Sequence, residues 1–554
     1  MLLGIDVGGT FTDAVIINGS TIISSAKRRT TKDNLMNGIT DALGAVMSGA
    51  DPAQIEQVTL STTVVTNTIV EHKEQPVDLY VVAGPGRNVD DIFPVRPVYL
   101  KGYTDHRGIV VERTDVGGTR QLANMVQSKS GTDLAAVSAK FGVRNPKEEI
   151  DVAQALADTY STISTGSALS GNLNFPRRTI SAYFNSAVAA VFKEFKTAVY
   201  HALETFHITA PVYILKADGG SLPIDTVESI PVETVFTGPA ATVLGLEALR
   251  STKEAHTVAL DIGGTTTDIS LWKQGKPLMT KEGVSIREYP SAVRSFAVTS
   301  VGIGGESAVR YEDGELMVGP ERLGPSVALG GTIPTLGDAL IVLGNAHYGD
   351  EQKAYDAITQ IDTTIDAKIM AQRIVDTAVR VVQQGIDTVV AKENKRPIYV
   401  VSDIVHPDPF VPAQLVIVGG TAASLGPIIG DTLGLPVHIP PDAAVANAIG
   451  AGVANHTMAI TVHVDTKRRT MVVPELGIQD KGSSLRSAQA VEEVAYGLLR
   501  EAAQEQGLVP QGVMPAIETI SVEDFPVVDG WQSMERIITV KVQLKAGVSN
   551  YVES

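Results

Sequence analysis

Short apolar runs open the chain, and they are followed by one stretch of helical periodicity. Residues 2–7 are apolar up to Asp6, and residues 14–18 and 21–26 predict two further strands separated by a turn. Apolar residues at positions 35, 39, 43 and 46 then follow the spacing of an amphipathic helix. Residues 58–61 predict one more strand. The opening of the chain is therefore a three-strand meander, a helix and a strand.

The same plan returns halfway along the chain, carried by a repeated octapeptide. Residues 256–261 predict a strand, and residues 269–276 predict a second strand and a turn. Asp6-Val-Gly-Gly-Thr-Phe-Thr-Asp13 and Asp261-Ile-Gly-Gly-Thr-Thr-Thr-Asp268 are identical at six of eight positions. An internal repeat of this kind predicts two similar halves that face each other. We therefore expect an α/β fold of two ribonuclease-H-like (actin-like ATPase) halves around a cleft, with an insertion and a small α+β C-terminal appendage.

The rest of the chain divides around these two halves. Residues 77–83 predict a strand, residues 180–203 and 364–392 predict two long helices, and residues 414–421 predict a buried strand that ends in a glycine pair. A tail with two strands and an amphipathic helix begins near residue 461. The predicted units are a first half at 1–76, an insertion at 77–205, a second half at 206–460 and an appendage at 461–554.

Composition excludes several classes of protein. The 554 residues carry a net charge of −17, which argues against a nucleic-acid partner. The chain has no cysteine, so disulfides, iron–sulfur clusters and cysteine nucleophiles are ruled out. The first residues lack the basic start of a signal peptide, and no apolar run reaches the about 18 residues of a membrane span. We expect a cytoplasmic protein that does not bind a membrane.

The repeated octapeptide has the chemistry of a phosphate-binding turn. Two glycines allow a sharp turn whose amides can point at phosphate oxygens, and a threonine adds a hydroxyl. Carboxylates at strand ends suit Mg²⁺, which takes one or two carboxylates together with waters and phosphate oxygens. A single copy could equally be a plain hairpin, but two matched copies favour an ATP site. The predicted residues are Asp6, Gly8, Gly9, Thr10 and Asp13 in the first turn, and Asp261, Gly263, Gly264, Thr265, Thr266 and Asp268 in the second.

Two further glycine-rich segments fit the same site. Gly419 and Gly420 end a buried strand, where a backbone can lie against a purine or its ribose; alone, they would be an ordinary turn. Gly304 and Gly305 precede Glu306, which we interpret as an acid–base group or as a carboxylate that contacts a metal-bound water. The alternative for that segment is a surface turn with a solvated glutamate.

Several sequence segments resemble, in the same order along the chain, segments of the A-type subunits of the hydantoinase/oxoprolinase family, within the actin-like ATPase superfamily. The resemblance covers about residues 1–455. It rests on residues 4–13, 60–69, 218–222, 236–241, 260–268, 318–321 and 334–344. The segment after residue 321 departs from the family pattern, and the C-terminal part has no match among these segments.

The resemblance implies an ATP-dependent opening of a cyclic amide such as a hydantoin or lactam. ATP would phosphorylate the ring carbonyl oxygen, and water would then attack. Asp6 and Asp261 would lie at Mg²⁺, and the substrate side would include Ser61, Thr62, Thr63, Asn67 and Asp338. A cyclic amide, a B-type hydantoinase subunit and self-association are the implied partners.

Two other functions fit the same fold, because a fold does not fix a function. A kinase of a sugar or polyol needs an aspartate that deprotonates a hydroxyl, and Asp13, Asp268 and Asp338 are candidates. A regulatory ATPase would instead signal to a partner through closure of the cleft.

Overall fold

The first half is built on a six-stranded sheet. This computed structural model describes residues 1–30, 35–86, 90–250, 256–280, 282–312, 314–396, 405, 407–527 and 535–553. Across the sheet the strands run Ser221–Pro223, Val212–Leu215, Gln57–Thr62, Leu2–Val7, Phe11–Asn18 and Thr21–Arg29. The last three form the antiparallel meander predicted from the sequence, and Gln57–Thr62 lies parallel to Leu2–Val7.

The second half repeats this arrangement with the same register. Its sheet runs Lys276–Pro277, Thr267–Lys273, His256–Ile262, Gln414–Val418 and Val437–His438, and Val298–Val301 also pairs with Thr267–Lys273. Asp6 lies opposite Asp13 in the first sheet, and Asp261 lies opposite Asp268 in the second. The predicted two-half α/β fold is confirmed, because the octapeptides are equivalent in backbone geometry as well as in sequence.

Two helices connect the sheets, and we call them the hinge helices: Thr237–Ala248 and Ala446–Gly452. A Cβ atom placed on Gly245 would overlap the carbonyl oxygen of Ala446, and one placed on Gly450 would overlap that of Ala241. Only glycine allows such a close approach of two backbones. The hinge helices therefore pack main chain against main chain.

The insertion has its own parallel sheet, in the order Thr162–Thr165, Leu134–Ala139, Asp78–Val82 and Val98–Tyr99. The long helix predicted over residues 180–203 is two helices, Phe175–Ala187 and Ala189–Thr205, separated at Val188. The side chain of Asn185 is bonded to Ser164 and to the backbone of Ser229, which anchors the end of the first helix where the second begins.

The C-terminal unit is an antiparallel sheet in the order Ile478–Lys481, Thr470–Val473, Ala459–Asp465, Glu535–Leu544 and Ile517–Val527, covered by helix Ala488–Glu505. Its apolar residues, such as Val462 and Val540, belong to the same buried cluster as Leu3 and Ile5 of the first sheet. Strands Val212–Leu215 and Ser221–Pro223 also complete the first sheet, although the predicted boundary placed residues 206–460 together in the second half. The unit boundaries thus follow shared cores and not only chain order.

The remaining elements surround these sheets. The other helices are Leu35–Val46, Val64–Val70, Val116–Ser130, Lys147–Leu156, Gly166–Leu169, Ile224–Val227, Leu336–Val342, Glu351–Ile361, Ala367–Asn394 and Ala422–Leu433. Two-stranded pairs join Tyr103–Thr104 to Val110–Glu112, Ser285–Ile286 to Tyr289–Pro290, and Val309–Glu312 to Glu315–Val318. In the part of the chain that the structure describes, no helix combines the length and the apolar character needed to cross a bilayer.

Candidate functional site

A cavity of about 670 Å³ lies between the two halves, at the ends of the strands that carry the octapeptides. That volume is in the range of small-molecule sites, about 300–1,000 Å³. Most of the residues predicted for the site line it together: Asp6, Gly8, Gly9, Thr10, Asp13, Thr63, Asn67, Asp261, Gly263, Gly264, Thr265, Thr266, Asp268, Gly419 and Gly420. The two glycine turns therefore open into one common space.

The two turns have the same internal hydrogen bond. Gly8 N donates to Phe11 O at 3.0 Å, and Gly263 N donates to Thr266 O at 3.0 Å. The turns also approach each other across the cleft, since a Cβ atom placed on Gly264 would lie 3.7 Å from Thr10 Cγ2. A ligand between them would contact backbone from both halves.

The carboxylates of the first half are held by neighbouring strands. Ser61 Oγ donates to Asp6 Oδ1 at 2.6 Å, and Lys27 Nζ donates to Asp13 Oδ2 at 2.6 Å. Burial raises the pKa of Asp6, against its hydrogen bonds from Ser61 and Asn447. Burial also raises the pKa of Asp13 to about 7, against the opposing charge of Lys27. The Oδ1 atom of Asp13 is buried and accepts no hydrogen bond from the described residues.

The carboxylates of the second half have hydroxyl partners. Thr242 Oγ1 donates to Asp261 Oδ2 at 2.5 Å, and Ser300 Oγ donates to Asp268 Oδ1. Burial and the nearby charge of Asp261 raise the pKa of Asp268 to about 7. Each half thus offers one carboxylate at the strand end and a second on the returning strand, whose proton is exchanged near neutral pH.

Gly419 lies where the strand Gln414–Val418 ends against the second turn. Its φ is +97°, and a Cβ atom there would lie 2.5 Å from Asp261 Oδ1. A left-handed conformation and this close approach both require glycine. Gly419, the first residue of the predicted glycine pair, is therefore what lets this strand end against the carboxylate, whereas a Cβ atom on Gly420 would meet nothing closer than Lys27 Cε at 4.0 Å.

The other predicted residues lie around the cavity rather than in it. Ser61 and Thr62 are fully buried behind its wall. Gly304 and Gly305 support the second turn from below, where Gly305 N donates to Gly263 O at 3.0 Å. Glu306 accepts from Arg322 Nε at 2.6 Å and is mostly buried, so the solvated surface glutamate considered above does not describe it.

Asp338 has a structural role in this fold. It is fully buried, and its carboxylate accepts hydrogen bonds from the amides of Val327, Ala328 and Thr335 at 2.9–3.0 Å. With Thr335 it forms the capping box of helix Leu336–Val342. These bonds occupy both of its oxygens, so nothing in its surroundings supports the predicted contact with substrate.

Sequence reasoning missed the cationic groups of the site and the amide of Asn447. Lys27, Lys73, Arg322 and Asn447 also line the cavity. Lys27 could have been found, because it lies opposite Asp13 in the register of the predicted meander. Arg322 and Asn447 come from distant segments that only the folded chain brings to the cleft.

The donor set suits a magnesium ion that is carried by a nucleotide. Asp6 and Asp261 are hard oxygen donors on opposite sides of one cavity, beside the two glycine turns. Among the described residues, no group of three or more His, Cys, Asp or Glu side chains is arranged to hold a metal by itself. Mg²⁺ usually binds through one or two carboxylates together with substrate phosphates, and the residues present fit that mode.

Comparison with known proteins finds relatives that are identical to this chain at about a quarter of the aligned positions. The caprolactamase subunit alpha of Pseudomonas jessenii is 25% identical over 383 residues, which are 62% of this chain and 54% of that protein. The acetophenone carboxylase gamma subunit of Aromatoleum aromaticum is 25% identical over 541 residues, which are 86% of this chain and 70% of that protein. The chain thus spans between about half and about two thirds of the length of these relatives.

Solved structures show the same fold. The ATP-dependent caprolactamase from Pseudomonas jessenii superposes with a TM-score of 0.70 at 20% identity, covering 98% of this chain and 87% of that one. Nucleotide-free acetone carboxylase superposes with a TM-score of 0.68 at 16% identity, covering 99% and 87%.

Family models match most of the chain. The hydantoinase/oxoprolinase N-terminal region matches residues 2–160, and the hydantoinase/oxoprolinase domain matches residues 178–460. The repeated glycine turns and the cavity between them lie within these two matches. The chain belongs to the hydantoinase/oxoprolinase family.

Proposed function

We propose that this chain binds Mg-ATP between its two glycine turns and uses it to activate a cyclic amide for ring opening. The observation that carries the proposal is that both turns, with Asp6 and Asp261, line a single cavity of about 670 Å³. The family description and the caprolactamase relative support a lactam or hydantoin as the class of substrate. The solved caprolactamase is described as ATP-dependent, which supports the use of ATP on such a compound.

The proposed reaction begins with transfer of the γ-phosphoryl group of ATP to the ring carbonyl oxygen. ADP leaves, the amide nitrogen loses its proton, and the product is an imidate-like phosphate. One water then adds to the ring carbon and the C–N bond breaks, which leaves an acyl phosphate. A second water releases inorganic phosphate, so ATP, the cyclic amide and two waters give ADP, phosphate and the ring-opened acid.

The residues of the cavity have distinct parts in this reaction. Backbone amides of the two turns and the cation of Lys27 would hold the phosphates, and such positioning is most of what phosphoryl transfer requires. Mg²⁺, held by Asp6 and Asp261, would neutralise the charge that spreads over the transferred group. Thr63 and Asn67 line the wall beyond the first turn and are the candidates for contact with the ring.

Asp13 and Asp268 are the candidates for moving protons. Both have a pKa of about 7, so each can accept and return a proton near neutral pH. Asp13 also has a buried oxygen that no described residue bonds. We assign it, with Lys27 at its other oxygen, to accept the amide proton that is lost during the phosphorylation.

A second subunit is part of the proposal. Relatives named subunit alpha, beta and gamma belong to enzymes of several chains, and this chain spans only part of their length. We propose that a B-type hydantoinase subunit completes ring opening, while this chain carries out the phosphorylation. We also propose a cytoplasmic location, where ATP is available.

Product analysis tests the proposal and separates it from the alternatives. The purified chain is incubated with Mg-ATP and a panel of hydantoins and lactams, with and without the B-type subunit. Cyclic amides should raise ADP formation, and free phosphate with an opened ring should accumulate. Asp6→Asn and Asp261→Asn should abolish this turnover while circular dichroism and melting temperature stay near those of the parent.

Other products would contradict the proposal. A stable phosphorylated sugar or polyol would favour the kinase. Slow ATP hydrolysis that no cyclic amide changes, with a nucleotide-dependent protein complex, would favour the regulatory ATPase.

A further inference from the structure

Two polar side chains lie between the two strand-end carboxylates, which come from different halves of the molecule. Asn447 Nδ2 lies 3.3 Å from Asp6 Oδ2, and Asn447 Oδ1 lies 2.8 Å from Thr242 Oγ1. The same hydroxyl lies 2.5 Å from Asp261 Oδ2. The single proton of this hydroxyl serves one acceptor, and the shorter distance assigns it to Asp261. Asn447 and Thr242 therefore each donate to one carboxylate and lie side by side between the two, and neither belongs to an octapeptide.

Both linking residues stand on the hinge helices, Thr242 on the first and Asn447 on the second. These helices contact each other through backbone at Gly245 and Gly450, so their backbones keep a constant spacing there. The second hinge helix also packs against the first sheet, where a Cβ atom on Gly4 would overlap the carbonyl oxygen of Ala448. The backbones that carry Thr242 and Asn447 therefore stay next to each other, and that of Asn447 stays close to the first sheet.

Two like charges that converge on one cavity repel each other, and the partner of each decides where its oxygens point. Asp6 is only 5% exposed and has one oxygen on Ser61 and the other on Asn447. Asp261 has one oxygen on Thr242 and approaches Gly419 with the other. One oxygen of each carboxylate thus lies against a residue of the neighbouring strand or its end, and the other oxygen accepts from a residue of a hinge helix.

We propose that Asn447 and Thr242 are positioning residues that set the separation and orientation of Asp6 and Asp261 for a shared nucleotide-bound Mg²⁺. This inference rests on the proposed function, since it assigns both carboxylates to one metal. Asn447 also lines the cavity, where its amide would remain beside the bound nucleotide. The position of the metal would then depend on how the two halves are arranged.

The experiment measures nucleotide binding rather than turnover. Binding of a fluorescent ADP analogue is titrated in EDTA and in Mg²⁺, and the ratio of the two dissociation constants reports the contribution of the metal. Thr242→Val keeps the shape of the side chain and removes the hydroxyl, whereas Thr242→Ser keeps the hydroxyl. Asn447→Leu keeps the approximate shape and removes the donor that faces Asp6 without adding a charge to the cavity.

For Thr242→Val and Asn447→Leu, the Mg²⁺-dependent gain in affinity should fall by roughly tenfold, because hydrogen bonds to charged groups are the stronger ones. Affinity in EDTA should change little. Thr242→Ser should restore the gain, which a purely structural role in the hinge would not require. Thr388→Val is a matched control, because Thr388 Oγ1 bonds the carbonyl of Gln384 on an exposed helix face far along the chain.

Three results would overturn the inference. Thr242→Val and Asn447→Leu could keep the full Mg²⁺-dependent gain. They could lose affinity equally in EDTA and in Mg²⁺, which would mean a general distortion of the site. Thr242→Ser could fail to restore the gain. If the parent chain shows the expected metal dependence but opens no cyclic amide, the inference stands and the proposed substrate is wrong.

Discussion

Arg29 and Glu306 face each other across the cleft from opposite halves of the molecule. Arg29 Nη2 lies 3.4 Å from Glu306 Oε1, while the other carboxylate oxygen of Glu306 is bonded by Arg322. Arg29 is half exposed, and such an ion pair contributes at most about 1 kcal/mol to the free energy of unfolding. Its effect should therefore be on opening of the cleft more than on stability.

The first prediction concerns this ion pair. Arg29→Gln should release bound nucleotide several-fold faster in a stopped-flow chase, while the denaturation midpoint changes little. Arg120→Gln removes the exposed Arg120–Asp158 pair in the insertion and should leave the release rate unchanged. An unchanged release rate in Arg29→Gln would show that the pair does not restrain the cleft.

The second prediction concerns the cation in the cavity. Lys27→Met keeps the aliphatic stem and removes the charge, so nucleotide affinity measured by calorimetry should fall by about tenfold or more. The pKa of Asp13 should rise further, because Lys27 is the charge that opposes the effect of burial. Lys27→Arg should retain part of the affinity. Equal affinity of all three proteins would remove Lys27 from the phosphate site.

The third prediction concerns Gly419 and has a matched control. Gly419→Ala should lower the free energy of unfolding by about 2–3 kcal/mol, since it combines a positive φ with a collision at Asp261. Gly434→Ala also has a positive φ but meets no atom within 4 Å, and should cost about 1 kcal/mol. Denaturant titrations compare the two. Equal losses would mean that Asp261 simply moves aside.

The fourth prediction concerns pH. The folded protein holds the pKa of Asp268 near 7, above its ordinary value of 3.8, so the native state binds this proton more tightly than the unfolded chain. Stability is then lost as pH rises from about 4 towards 7. Asp268→Asn removes this loss. In EDTA, the substitution should therefore raise the free energy of unfolding more at pH 8 than at pH 5, and the difference should be about 1–2 kcal/mol after allowance for solvent screening.

Asp225 supplies the comparison for the pH experiment. Hydrogen bonding to Lys196 lowers the pKa of Asp225, so its carboxylate is charged in both states at pH 5 and at pH 8. Asp225→Asn should therefore have the same effect on the melting temperature at both values. If Asp268→Asn also shows no dependence on pH, its carboxylate is ionised in the folded protein.

The two halves and their turns could be predicted because the relevant information is local. The octapeptide specifies a hairpin, and strand alternation fixes which side its carboxylates face. Asp338 shows the limit of the same reasoning, because a buried capping aspartate and a substrate-binding aspartate look alike in sequence. Asn447 lies 441 residues after Asp6, and only the packing of the hinge helices brings the two together.

The extent of the units was harder to predict for a different reason. Strand Val212–Leu215 follows the insertion in the chain but pairs with Gln57–Thr62, which comes before the insertion. Pairing between strands so far apart leaves no periodic signal in either segment. The break at Val188 also depends on contacts of Asn185 with segments that are distant in sequence.

The backbone contact between the hinge helices has a consequence for how the lobes can move. Gly245 meets Ala446, and Gly450 meets Ala241, with no side chain between them. Main-chain atoms cannot adopt another rotamer or be repacked, so this contact offers no adjustable spacing. The lobes can rotate about it, but they cannot draw apart without breaking it. Opening and closing of the cleft should therefore be a rotation about the hinge helices at constant spacing, with the greatest displacement in the parts of the two halves farthest from this contact.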